Sequence, residues 1–139
     1  MSAALTPRVR TLVVCDGIRA SKSQESVFHL RGARAHLIAD EFPFRRRLEL
    51  FLILSSPRPG RFPSYLKVIE DQSDQAVFYG QVQPSPSFLD AGDLLVMGVP
   101  VQVRFPRAGR YTLQIWFFQE TAADVLKMEQ PLYVFEGEE

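Results

Sequence analysis

Apolar and polar residues alternate along this chain in short runs, each ended by turn-forming residues, with no long stretch at helical spacing. A period of two places successive side chains on opposite faces of a strand. The runs at 9–15, 27–38, 47–54, 65–70, 77–82, 95–105 and 110–119, with a last one ending at 135, are therefore expected strands. Asp16-Gly17 ends the first run, and a polar loop follows at 21–25. Gly32 breaks the second, as at a bulge or bend. Phe42-Pro43-Phe44 is a corner, because proline disfavours a continuous central strand. The segment 71–74 closes a hairpin between 65–70 and 77–82. The long connection 83–93 is expected to cross from one sheet to the other. Pro100 and Pro131 mark their strands as edges.

This pattern predicts one all-β domain over residues 1–139, an antiparallel β-sandwich of about seven to nine strands with an immunoglobulin-like arrangement. Alternation then assigns faces. Arg47 and Glu49 point outward, so Leu48, Leu50, Leu52 and Leu54 point into the core, and Phe51 and Ile53 point out. In the run from Arg110, residues Tyr111, Leu113, Ile115 and Phe117 face in, while Trp116 and Phe118 face out. In the last strand Leu132 and Val134 suit the core, leaving Tyr133 and Phe135 outside. If these three strands are neighbours in one sheet, Phe51, Ile53, Trp116, Phe118, Tyr133 and Phe135 form one apolar patch. A patch of several hundred Å², rich in aromatics, marks a contact surface. The alternative is that a loop such as 83–93 covers it.

The stretch Phe105-Pro106-Arg107-Ala108-Gly109-Arg110-Tyr111 resembles the closing strands of immunoglobulin-like sandwiches. There a Pro/Gly turn precedes a Tyr whose hydroxyl bonds back to the turn. Gln130-Pro131-Leu132-Tyr133-Val134 is similar to the last strand of such domains, although the Cys…Trp…Cys pattern of antibody domains is absent. Nearly the whole chain resembles a family of small bacterial all-β proteins. Its features are the strand ending Val13-Val14-Cys15-Asp16, the Phe42-Pro43 corner and the Pro-x-x-Gly-x-Tyr turn. That family has no assigned activity, so the resemblance implies a fold and leaves function to the residues.

Composition sharpens this picture. With 139 residues, 46% apolar and 12% aromatic, the chain can bury a core without disulfides or metals. Its net charge is zero, so no global field draws in nucleic acid or an anionic membrane, and neither is an expected partner. The charge is uneven, however: up to residue 69 twelve basic residues face five acidic ones. The interleaved strands of a sandwich are expected to cancel this in space. Cys15 is the only cysteine, so no internal disulfide forms, in keeping with a reducing cytoplasmic setting. The apolar run after Arg10 is too short for a signal peptide, and no run approaches a membrane span. Arg outnumbers Lys, as in GC-rich bacterial genomes.

Several chemistries fit poorly. His29, His36 and Cys15 fit a zinc set poorly, because residues seven apart in one strand face opposite ways unless a bulge at Gly32 re-aims one of them. Cys15 ends an apolar run, where a free thiol packs as a small hydrophobe. No Gly-x-Ser-x-Gly elbow and no phosphate-cradling glycine loop is present. Asp71, Asp74, Asp90, Asp93 and Asp124 match no calcium spacing and read as turn residues. Arg45-Arg46-Arg47 is the one tight basic run. Phosphate or nucleic-acid binding is open to it if Arg31 and Arg34 lie beside it, and the expected reading is a solvated strand start. No catalytic residue, metal or cofactor is expected. The expectation is a non-catalytic protein-interaction or self-association module, a homodimer or a docking site for another protein. The alternative is a small-molecule or carbohydrate-binding sandwich, enzymes included, stacking its ligand on Trp116, Tyr133 and Phe118.

Overall fold

The computed structural model describes residues 6–25 and 27–138, which form twelve strands and no helix. Three of them, β1 (Arg8–Cys15), β5 (Phe44–Ser55) and β10 (Leu94–Phe105), make an antiparallel sheet in the order β1-β5-β10. A five-stranded sheet holds β4 (His36–Ala39), β12 (Val125–Glu136), β11 (Gly109–Phe117), β7 (Ser64–Glu70) and β8 (Gln75–Gln81), in that order. Its pairs are antiparallel except β4 with β12, which run parallel. Two short pairs complete the fold: β2 (Gly17–Ala20) with β3 (Phe28–Arg31), and β6 (Gly60–Arg61) with β9 (Ser87–Phe88).

The core lies between the two main sheets, and strand alternation explains its membership. Leu48, Leu50, Leu52 and Leu54 enter it from β5; Val99, Val101, Val103 and Phe105 enter from β10. Tyr111, Leu113, Ile115 and Phe117 face them from β11, with Leu132 and Val134 from β12. The inward assignments made from the sequence therefore hold. Tyr111 is fully buried and its hydroxyl donates to the carbonyl of Arg107 at 2.6 Å, the tyrosine corner expected from the Pro-x-x-Gly-x-Tyr turn. The all-β sandwich is the observed fold.

Several details differ from the sequence reading. The run 27–38 is two strands, β3 and β4, placed in different sheets. Gly32 turns the chain between them at φ +66, and the Asp16 carboxylate occupies the space a Cβ would need. Residues 17–20, for which no element was expected, form β2, which folds with β3 into a hairpin around the loop expected at 21–25. Most important for function, β5 lies in the sheet opposite β11 and β12. Pro131 does not mark an edge, because β12 lies between β4 and β11, and twelve strands stand where about seven to nine were expected. Residues 83–93 carry the chain from β8 in one sheet to β10 in the other, and Pro100 sits on edge strand β10.

Candidate functional site

The outer face of the five-stranded sheet is built by the residues that alternation turns away from the core. Because Leu66 and Val68 are buried, Tyr65, Lys67 and Ile69 point outward from β7. The register sets Trp116 beside Tyr65, Gln114 beside Lys67, and Lys67 beside Tyr79 of β8. Four aromatic rings meet here. Tyr65 stacks parallel to Trp116 (centroids 6.1 Å, 2° between planes), and Tyr79 and Phe118 tilt against it at 5.2 and 4.6 Å. Tyr65 is only 5% exposed beneath these neighbours, whereas Tyr79 (56%) and Phe118 (38%) stand free on the surface.

Polar groups fix the rings in place. Tyr65 Oη donates to Asp124 Oδ2 at 2.7 Å, and Asp124 Oδ1 accepts the Gln119 N–H at 3.3 Å. Burial first, and then the Asp124 carboxylate, pushes the Tyr65 hydroxyl far above the ordinary phenol range, so it stays protonated as a donor. Trp116 Nε1 donates to Gln114 Oε1 (3.0 Å), whose amide nitrogen donates to Glu129 Oε2 (3.0 Å). Lys67 Nζ lies over the Trp116 and Tyr65 rings at 5.2 and 5.8 Å, in cation–π range. The result is a rigid aromatic surface whose side chains lose little freedom on contact.

A second, smaller group occupies the far end of the same face. Tyr133 and Phe135 stack at 6.1 Å, His36 tilts against Phe135 at 5.6 Å, and the two exposed rings are 40% and 51% accessible. Tyr133 pairs with Arg110, six residues along β11 from Trp116. At strand rise the two groups are therefore about 20 Å apart. Thr112 with Pro131 and Gln114 with Glu129 lie between them.

Of the six residues expected in one patch, the structure brings four, Trp116, Phe118, Tyr133 and Phe135, to this sheet, divided into two groups. Phe51 and Ile53 do point outward, but from β5, on the other side of the sandwich. They are half-buried, and the β2–β3 hairpin lays Phe28 against Phe51 at 5.8 Å. The cover is this hairpin rather than 83–93. The single patch fails because the strand carrying Phe51 belongs to the opposite layer. Tyr65, Lys67 and Tyr79 were missed. Alternation around Leu66 and Val68 could have turned Tyr65 and Lys67 outward, but the turn at 71–74 alone sets Lys67 opposite Phe78, and Tyr79 takes that place only through the bulge after Val68.

The other candidate chemistries separate in space. His29 lies on the hairpin and His36 on the five-stranded sheet. Among the described residues no group of three or more His, Cys, Asp or Glu side chains could hold a metal. The Cys15 thiol is fully buried, sits 3.4 Å from the Glu49 carbonyl, and has its pKa raised by burial and then by Glu49. Such a thiol is inert. Asp71 pairs with Arg110 and accepts from Thr112, Asp124 holds Tyr65, and Asp93 accepts the Asp90 N–H.

No protein-family model matches this chain, and no curated protein matches it. Among solved structures it is similar to the C-terminal domain of wzt, with a TM-score of 0.60 at 8% identity, covering 95% of this chain and 75% of that one. It is also similar to the Pseudomonas fluorescens alkylpurine DNA glycosylase AlkC, solved bound to DNA containing an abasic site analogue. The TM-score there is 0.55 at 13% identity, over 93% of this chain but 30% of that one. At such identities the likeness is one of fold, and it places the chain among two-layered β-sandwiches.

Proposed function

We propose that this chain is a non-catalytic interaction module that engages a protein partner, a second copy of itself or another chain, through the aromatic end of its five-stranded sheet. The observation that supports this is the Tyr65–Trp116–Tyr79–Phe118 cluster: two exposed rings held by a buried hydrogen-bonded one on a strand surface. Preorganised aromatics of this kind dominate binding energy at protein interfaces. The grooves at the hairpin, at Asp40 and Phe44, and at Leu12 to Val14 include none of these four rings. A sheet surface on which rings stand free suits a broad partner better than a small ligand. Lys67 beside Tyr79, with Gln114 and Glu129 following on the next two strands, gives the second reading, a sugar stacked on the exposed ring and hydrogen-bonded along the row.

The test is solution mass by light scattering over a dilution series for the wild type and for Tyr79→Glu with Phe118→Glu, both exposed enough to leave the fold intact. A dimer that becomes a folded monomer supports self-association through this face. A monomeric wild type that binds an oligosaccharide, with loss on Tyr79→Ala, replaces the protein partner with the sugar. A dimer unchanged in the double variant removes the aromatic face as its interface.

A further inference from the structure

The unequal charge of the two chain halves does not cancel in space; it separates by layer. The strands of the three-stranded sheet and the β2–β3 hairpin carry eight arginines, no lysine and one carboxylate, Glu49. The five-stranded sheet carries three cations and three carboxylates. Because Leu48 and Leu50 are buried, Arg45 and Arg47 project outward from β5. Arg104 of β10 stands directly opposite Arg45 in the register. Like charges directly opposite destabilise a sheet, and no carboxylate offsets this pair: none of the ion pairs among the described residues reaches Arg45, Arg47 or Arg104. One outward position beyond Arg47, Glu49 lines a groove of about 500 Å³ with Arg19, His29 and Arg31 of the hairpin. Arg19 and Arg31 are also exposed and outside every ion pair.

We propose that this arginine face binds the phosphate backbone of duplex nucleic acid without reading its sequence. Arg46 and Arg34 are engaged by Asp16, so the residues that act are Arg45, Arg47 and Arg104, with Arg31 and Arg19 at the groove. A guanidinium presents a planar fork that matches phosphate oxygens two at a time. Interfaces between proteins bury aromatic anchors and deplete charge at their centre. This layer shows the reverse: of the exposed large apolar residues only Leu94 belongs to it, and arginine fills its open end. Protein–DNA interfaces are the polar, strongly positive kind. Among the described residues no Phe, Tyr or Trp ring of this layer is exposed, so it offers no aromatic stacking platform of the kind a single strand uses, which leaves backbone contacts. The face lies on the opposite side of the sandwich from the aromatic cluster, so each reading can fail without the other.

The experiment is fluorescence anisotropy of a labelled random-sequence DNA duplex, titrated with the full chain from about 50 to about 200 mM salt. Binding is expected to weaken with salt at a log–log slope of about −3 to −5, one phosphate for each free arginine engaged. Each of Arg45→Ala, Arg47→Ala and Arg104→Ala should reduce that slope by about one, equally for different sequences. Arg110→Ala, on the other sheet and paired with Asp71, should leave it unchanged. All three arginines are exposed, so the variants should remain folded, which circular dichroism checks. The proposal is overturned if the duplex does not bind at the lowest salt, or if the arginine variants bind like wild type. Polyglutamate displacing the duplex at equal charge concentration would reassign the face to an acidic protein. A single strand that binds more tightly than the duplex would likewise remove the proposed occupant.

Discussion

Asp16 shows how much one side chain can organise. Both of its oxygens are used: Arg34 binds it in a fork at 2.8 and 2.7 Å, and Arg46 reaches the first oxygen at 2.6 Å. The bond to Arg34, with Arg46 behind it, lowers its pKa to about 2, against the effect of burial. A folded pKa below the unfolded value of 3.8 gives stability that is complete above about pH 4 and lost as pH falls through about 2. With the carboxylate only 16% exposed, the contribution is about 2 kcal/mol. Asp16→Asn should therefore lower the free energy of urea unfolding by roughly that amount at pH 7 and flatten the acid limb between pH 4 and 2. An unchanged acid limb would show that the cluster adds nothing. In the sequence Asp16 reads only as the end of a strand. Its arginine partners come from a loop and from another strand, and short-range pattern cannot report contacts that distant.

The elements were legible where alternation and turn chemistry agreed, as in β5, in the β7–β8 hairpin and in the β11 strand with its tyrosine corner. They were illegible where strands are short. β2 and β3 have four residues each, too few for a period to register, and a polar loop separates them. Assigning β5 to the wrong layer had a different cause: alternation tells in from out but not which sheet a strand joins. The hairpin is held on the three-stranded sheet by Phe28 against Phe51 and by Ile18 over Gly98, where an added Cβ would lie 3.1 Å from the Ile18 methyl. So few apolar contacts make it a local opening unit. Phe28→Ala or Gly98→Val should raise amide exchange in β2 and β3 about tenfold or more while β5 keeps its protection. A uniform rise across β5 would mean the hairpin is integral to the core rather than a cover laid on it.

At the scale of the molecule, the sum of charges conceals their arrangement. Zero net charge removes the mutual repulsion that keeps proteins apart. The surplus of arginine on one layer is balanced by carboxylates that lie largely in loops, so each molecule presents both signs. At about 10 mM salt the Debye length is roughly 30 Å, long enough for one molecule's basic layer to attract another's acidic loops; at 0.15 M it is about 8 Å. The osmotic second virial coefficient should therefore be negative at low salt and rise as salt is added. Reversing Arg45 and Arg104 to Glu should diminish that rise. Contact through the aromatic face would behave differently, because burial of Tyr79 and Phe118 is not screened by ions. An association that persists undiminished at 0.15 M salt belongs to the rings, and one that vanishes there belongs to the arginines. A virial coefficient independent of salt would mean that the layered charge is evened out at the surface, and would remove the basis for treating the arginine layer as a distinct face.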